Sequence, residues 1–206
     1  MALPLDTIRA TADRVADSHG LEVVDIEFAG GGKHRALRVF VEKNAEGRAA
    51  LAQNAAENPD ALPKGVPVEL LSGVTHEDCE HFARDFGTVL DVEDLIPGSE
   101  YTLEVSSPGL ERKLRGAADY ERFNGSLVKI QTFTPVTPET ESTEAPAAYG
   151  KLNRHFTGRL SAFDGQRLTL DLSAVKQKGK AKKTLITQTV TIDLANVEKA
   201  NLVAEI

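Results

Sequence analysis

Pro108-Gly109 constrains the fold of this 206-residue chain more than any other pair, because the periodicity of the sequence changes character there. Just before it, Tyr101, Leu103 and Val105 alternate with Thr102, Glu104 and Ser106, the period of a strand with one buried face. Proline fixes φ near the value a turn's second residue needs, glycine tolerates positive φ at the third, and Ser106 and Ser107 are suited to bonding the freed backbone. The exit then presents Glu111, Arg112, Lys113 and Arg115 around Leu110 and Leu114. Turn chemistry alone reads this exit as a connector carrying solvated charge.

Upstream, helix and strand periods are mixed. Leu5, Ile8, Ala12, Val15, Ala16 and His19 repeat at helical spacing, and Gly20 stands where a left-handed cap belongs. Leu21–Phe28 and Ala36–Lys43 alternate as two strands around Gly30-Gly31-Gly32, a hairpin signal. Thr75-His76-Glu77-Asp78 has the form of a capping box with Asp in place of Glu, and it opens a helix with an apolar face of Cys79, Phe82, Ala83, Phe86, Val89 and Leu90. The expected fold is two helices on one face of a three-stranded sheet. Residues 44–73 read as a surface insertion, with a short helix near Arg48–Ala55 stopped by Pro59, Pro63 and Pro67.

Downstream, the signals are short strands. A helix around Ala117–Phe123 precedes Leu127–Phe133, His155–Phe163, Arg167–Leu172, Thr184–Asp193 and Val197–Val203, with turns at Asp164-Gly165 and Gly179. Their close spacing points to a small barrel. Thr134–Arg154, rich in Pro, Thr, Glu and Ala, reads as a long mobile loop. The expected domains are 1–115 and 116–206.

Charge divides at the same place. Residues 1–107 hold nine Lys+Arg against twenty Asp+Glu, a net −11, and residues 108–206 hold fifteen against eleven, a net +4. An acidic half repels phosphate and attracts basic proteins, whereas a basic half meets RNA or an acidic patch. Aromatics are 5% of the chain and Trp is absent, which argues against extended base-stacking platforms. No apolar run approaches the ~18 residues of a membrane span, and the single cysteine makes no internal disulfide, so a cytosolic, reducing location is expected.

The residues that invite a chemical reading do not form a reaction centre. His76, Cys79 and His81 offer metal-ligand types, but on a helix His81 lies about 200° from Cys79, and Cys79 falls on the apolar face. Gly30-Gly31-Gly32-Lys33 lacks the spacing of a phosphate loop, though Lys33, His34 and Arg35 leave open a contact with an RNA phosphate beside the reading of a solvated turn. Ser106 and Ser107 lack a nucleophile-elbow pattern, and Asp91, Glu93 and Asp94 look like a solvated acidic helix end. No catalytic residue, metal or cofactor is expected. Lys176, Lys178, Lys180, Lys182 and Lys183 around Gly179 form a cationic loop, either a solvated hairpin or an RNA contact.

Val-Ser-Ser-Pro-Gly-Leu-Glu-Arg-Lys-Leu at 105–114, preceded by Asp78-Cys79-Glu80, Leu90–Asp94, Ile96-Pro97-Gly98 and Tyr101–Glu104, resembles the signature of the bacterial ribosome maturation factor RimP family. The resemblance runs from about Gly73 to Phe123, and it is weaker but collinear over Leu21–Phe28, Leu37–Glu42 and Ile192–Val203. The family often has proline where Lys113 stands. The resemblance implies an α+β N-terminal domain followed by an Sm-like or SH3-like barrel, acting without chemistry of its own in assembly of the small ribosomal subunit. The implied partners are a basic small-subunit ribosomal protein and ribosomal RNA, met by a monomer, with the barrel engaging the protein. Ser106, Ser107, Pro108, Gly109, Leu110, Glu111 and Arg112 are the candidate interdomain or partner-binding residues. Arg112→Glu is expected on this reading to weaken subunit association with little loss of fold. A general RNA-binding regulator or chaperone using the basic half is the alternative.

Overall fold

The structure, a computed structural model, describes residues 4–30, 34–58, 72–98, 100–141, 152–173 and 187–205. The chain divides into two compact units, 1–109 and 110–206, so Leu110–Arg115 groups with the second unit rather than with the first as the 115/116 boundary expects.

The first unit runs α1 (Leu5–Ser18), β1 (Leu21–Ala29), β2 (Arg35–Lys43), α2 (Ala45–Glu57), α3 (His76–Val92) and β3 (Tyr101–Ser106). β1 and β2 form an antiparallel hairpin, and β3 pairs parallel with β2, Arg35 opposite Tyr101 and Phe40 opposite Ser106. A parallel pair needs a crossover, and α3 supplies it. Gly30, at φ +86°, opens the hairpin loop, and a Cβ there would lie 1.7 Å from the His34 carbonyl oxygen, so no other residue fits. Ile8, Ala12 and Ala16 of α1 and Phe82, Phe86 and Leu90 of α3 pack with Leu37, Val39 and Val41 of β2 in one core, with the Phe82 and Phe86 rings stacked 5.3 Å apart. Thr75 and Asp78 complete the expected capping box at the start of α3.

Two features of this unit depart from the alternating pattern. A bulge at Val23/Asp25 in β1 buries Val23, Val24 and Asp25 in succession. The insertion contributes a longer helix than expected, because Asn44 accepts a hydrogen bond from Gly47 N and starts α2 at Ala45. α2 buries none of its residues. It is tied to the sheet by Arg48, which donates to the Glu22 carboxylate at 2.7 Å and to the Lys43 carbonyl and lies 3.8 Å from buried Glu42.

Glu22 and Glu42 stand directly opposite each other across β1 and β2. Burial, followed by the hydrogen bond with Glu42, pushes the Glu22 carboxyl above its ordinary value, against the pull of Arg48. A carboxyl raised in the folded state contributes most below its unfolded pKa and loses that contribution as pH rises through the folded value. Stability of the parent is therefore expected to fall from about pH 4.5 upward relative to Glu22→Gln, by less than about 1 kcal/mol because the side chain is 39% exposed. Urea unfolding across that range measures it, and superimposable pH profiles for the two proteins would refute the assignment.

The second unit runs α4 (Ala117–Arg122), β4 (Leu127–Val136), β5 (Glu139–Glu141), β6 (Asn153–Phe163), β7 (Arg167–Asp171), β8 (Thr187–Asp193), a 3-10 turn (Leu194–Asn196) and β9 (Val197–Leu202). Its strands form one antiparallel sheet in the order β5-β8-β7-β6-β4-β9. Among the described residues β5 and β9 are the outermost of the named strands and do not pair with each other, so the sheet is open where a closed barrel was one expectation. Its core gathers Tyr120 and Phe123 from α4 with Val128, Ile130, Leu160, Leu168, Leu170, Val190 and Ile192 from the strands. Asp164 turns the β6–β7 hairpin by accepting from Gln166 N and Arg167 N, with Gly165 at φ +92°. The expected loop at 134–154 is partly strand: β4 continues to Val136, β5 follows, and β6 begins at Asn153. Lys176, Lys178, Lys180, Lys182 and Lys183 lie outside the described residues.

Candidate interaction site at the strand exit

The first unit ends at Gly109, and the turn that the sequence places at Pro108-Gly109 falls one step later. β3 alternates half-buried Tyr101, Leu103 and Val105 with exposed Thr102, Glu104 and Ser106. Ser107 is exposed, Pro108 half-buried, and Gly109 has φ +70°, a left-handed value that favours glycine, just before a turn at Leu110–Glu111. Asp91, Glu93 and Asp94, read as a solvated acidic helix end, are all exposed and go separate ways. Asp91 accepts weakly from the Tyr101 hydroxyl at 3.4 Å, Glu93 pairs with Arg14 at 3.1 Å, and Asp94 takes φ +47° at the end of α3.

The motif around His76 is likewise absorbed by structure. Burial works to raise the Asp78 carboxyl, but hydrogen bonds from the Lys43 ammonium and from the Thr75 backbone and hydroxyl hold it below its ordinary value. Burial raises the Cys79 thiol, which packs against the core of the first unit. Arg35, grouped with the hairpin loop, donates to the Pro97 carbonyl at 3.1 Å and stacks over Phe28. Gly31, Gly32 and Lys33 lie outside the described residues.

The second unit takes up the other end of the motif. Leu110 is 62% exposed and Glu111 is exposed, but Arg112 is buried. Its guanidinium meets Asp119 at 2.8 Å, donates to the Lys113 carbonyl at 3.0 Å and stacks 5.0 Å from the Phe123 ring centroid. Its backbone lies alongside β9: Leu202 N donates to the Arg112 carbonyl, Leu114 N donates to the Ala200 carbonyl, and Lys113 forms an antiparallel bridge with Asn201. The Asn201 side chain donates to the Glu111 carbonyl, and Asp119 also accepts from Arg115 N. The exit is thus an added edge of the second unit's sheet. Arg112 is a structural anchor of that unit, which corrects the expectation that its charge can be reversed with little loss of fold.

The anchoring partners were not among the candidate residues. Asp119 has the one local signal, an acid in the first turn of α4, where helix-end amides favour it. Asn201, Ala200 and Leu202 lie almost a chain-half away, and nothing in the spacing announces them. Beside this edge a cleft of about 640 Å³ is lined by Lys113, Arg115, Lys199, Gln131, Glu198 and Tyr120. Tyr120 is 1% exposed, and burial, then the Asp119 charge, pushes its phenol up to about 12, so it stays neutral and able to donate.

Ser106, Ser107, Leu110 and Glu111 are exposed where the chain passes from the α+β unit into the antiparallel β unit. Residues 66–111 match the family model of the RimP N-terminal domain, a stretch that contains α3, β3 and the turn as far as Glu111. That match, over 46 of the 206 residues, supports the RimP family, whose members are ribosome maturation factors.

Proposed function

We propose that this protein binds the immature small ribosomal subunit and assists its late assembly by non-covalent binding, in the cytoplasm and without catalysis. The observation that carries the reading is the RimP N-terminal domain match, which ends on the turn whose Ser106, Ser107, Leu110 and Glu111 are exposed. Four exposed residues at one turn are free to meet a partner, while Arg112 holds the following strand in its own unit. Release follows if the partner surface is altered on completion, because a ligand with differential affinity for two states shifts only between them. The second unit is read as an Sm-like domain. In support, the helix α4 is followed by β4, β6, β7, β8 and β9 in one antiparallel sheet, with the last of these strands returning to lie beside the first.

Gradient sedimentation of tagged protein with free small subunits, joined ribosomes and bare RNA tests the proposal. Comigration with free small subunits in preference to the other two is expected, and Leu110→Ser/Glu111→Ala should weaken it by about tenfold, or ~1.4 kcal/mol. Equal comigration with all three, or none with subunits, would end the proposal. A general RNA-binding role is the second reading, favoured by the +4 charge of residues 108–206 and the cations around the Tyr120 cleft. It demands binding to any RNA that weakens steeply with salt.

A further inference from the structure

We propose that the free edge of β3, with the groove beside it, receives an extended, lysine- or arginine-rich peptide segment as a fourth strand of the first unit's sheet. This goes beyond the ribosomal reading and does not depend on it. Among the described residues β3 pairs only with β2, so one side of a six-residue strand has no strand beside it. Unpaired strand edges are templates for strand addition, and proteins usually blunt them with lysine, proline or a bulge. β3 carries no lysine, proline or bulge along Tyr101–Ser106, its one charge is Glu104, and its proline comes only after the strand has ended.

The space for an incoming strand's side chains is already formed. Between α3 and β3 runs a groove of about 630 Å³, lined by Ala83, Gly87, Asp91, Tyr101 and Leu103 among others. Gly87 leaves it deep: a Cβ there would come no closer than 3.7 Å, to Leu103. A strand laid along β3 sends alternate side chains to this face, where a medium apolar residue fits over Ala83 and Gly87.

Charge selects the occupant. Among the described residues the groove also holds Glu80, Glu100 and one cation, Arg84, which is engaged with Glu80 at 2.6 Å. Glu80, Asp91 and Glu100 thus outnumber Arg84, in a half of the chain that carries a net −11. The exposed face of β3 adds Glu104, paired with Arg38 at 2.7 Å. A polyanion such as RNA is disfavoured here, and a cationic peptide is drawn in.

The test uses the full chain and a short peptide alternating lysine with valine. Titration followed by amide NMR is expected to shift Tyr101–Ser106 and the Ala83–Gly87 turn of α3. A glutamate-for-lysine peptide, and the lysine peptide N-methylated at every second residue, should each bind about tenfold or more weakly. Gly87→Leu, which fills the groove, and Asp91→Lys/Glu100→Lys, at exposed positions that leave the fold intact, should weaken it to the same degree. Equal binding by the N-methylated peptide, equal binding by the charge-reversed variant, or shifts confined to the second unit would each overturn the proposal. A result of this kind leaves the sedimentation experiment unaffected, so the two readings fail separately.

Discussion

Arg112→Glu is expected to unfold the second unit. The substitution removes a guanidinium that is 6% exposed and leaves a carboxylate beside Asp119, the group it had neutralised at 2.8 Å. Breaking a buried pair from one side costs about 3–5 kcal/mol, a large share of the roughly 5–15 kcal/mol that holds a domain folded. The stacking on Phe123 goes with it. Hydrogen exchange measures the outcome: amides of β4, β6, β7 and β8 should lose protection while those of β1 and β2 keep theirs. Parent-like protection throughout would show that Arg112 is dispensable to the fold. The consequence for binding studies is direct, since weak association of this variant would report unfolding, and exposed Leu110 and Glu111 are the positions at which recognition can be tested.

Phe86→Ala is the complementary experiment. Phe86 is fully buried and stacked on Phe82 at the centre of the first unit's core. Truncating a buried phenylalanine removes its transfer free energy and leaves a cavity, about 3–5 kcal/mol in all. Protection in β1, β2 and α3 should collapse, and that in β6 and β7 should remain, because the two cores share no residue. Loss of protection in both sets together would mean that the chain unfolds as a single cooperative body.

The first unit was legible because its elements are periodic and punctuated. The helical repeat of Ile8, Ala12, Val15 and Ala16, the Thr75–Asp78 capping box and the alternation of Tyr101–Ser106 each produce the element they announce. The bulge shows in the sequence only as the adjacent Val23 and Val24, which break the alternation of Leu21–Phe28, and nothing there announces that Asp25 is buried. Nor was the full length of α2, which has no apolar face to betray it and depends on an Asn44 cap and one arginine. In the second unit the strands were readable, but their closure was not, because strand signals fix neither order nor edges. At the site, the positive φ of Gly109 followed from residue chemistry alone, while the turn itself falls one step later, at Leu110–Glu111. The cluster after it misled because charge in a sequence reads as solvated until a partner appears, and here the partners are Asp119, seven positions on, and the backbone of β9.

The attachment of α2 has a bearing on how this molecule can be handled and how its lineage can drift. A helix with no fully buried residue, pinned through Asn44 and Arg48, leaves exposed positions such as Ala52 and Gln53 under no packing constraint. Dyes, spin labels or short tags placed there should leave both cores undisturbed, and random substitution should accumulate there faster than at the buried positions of α1 or α3.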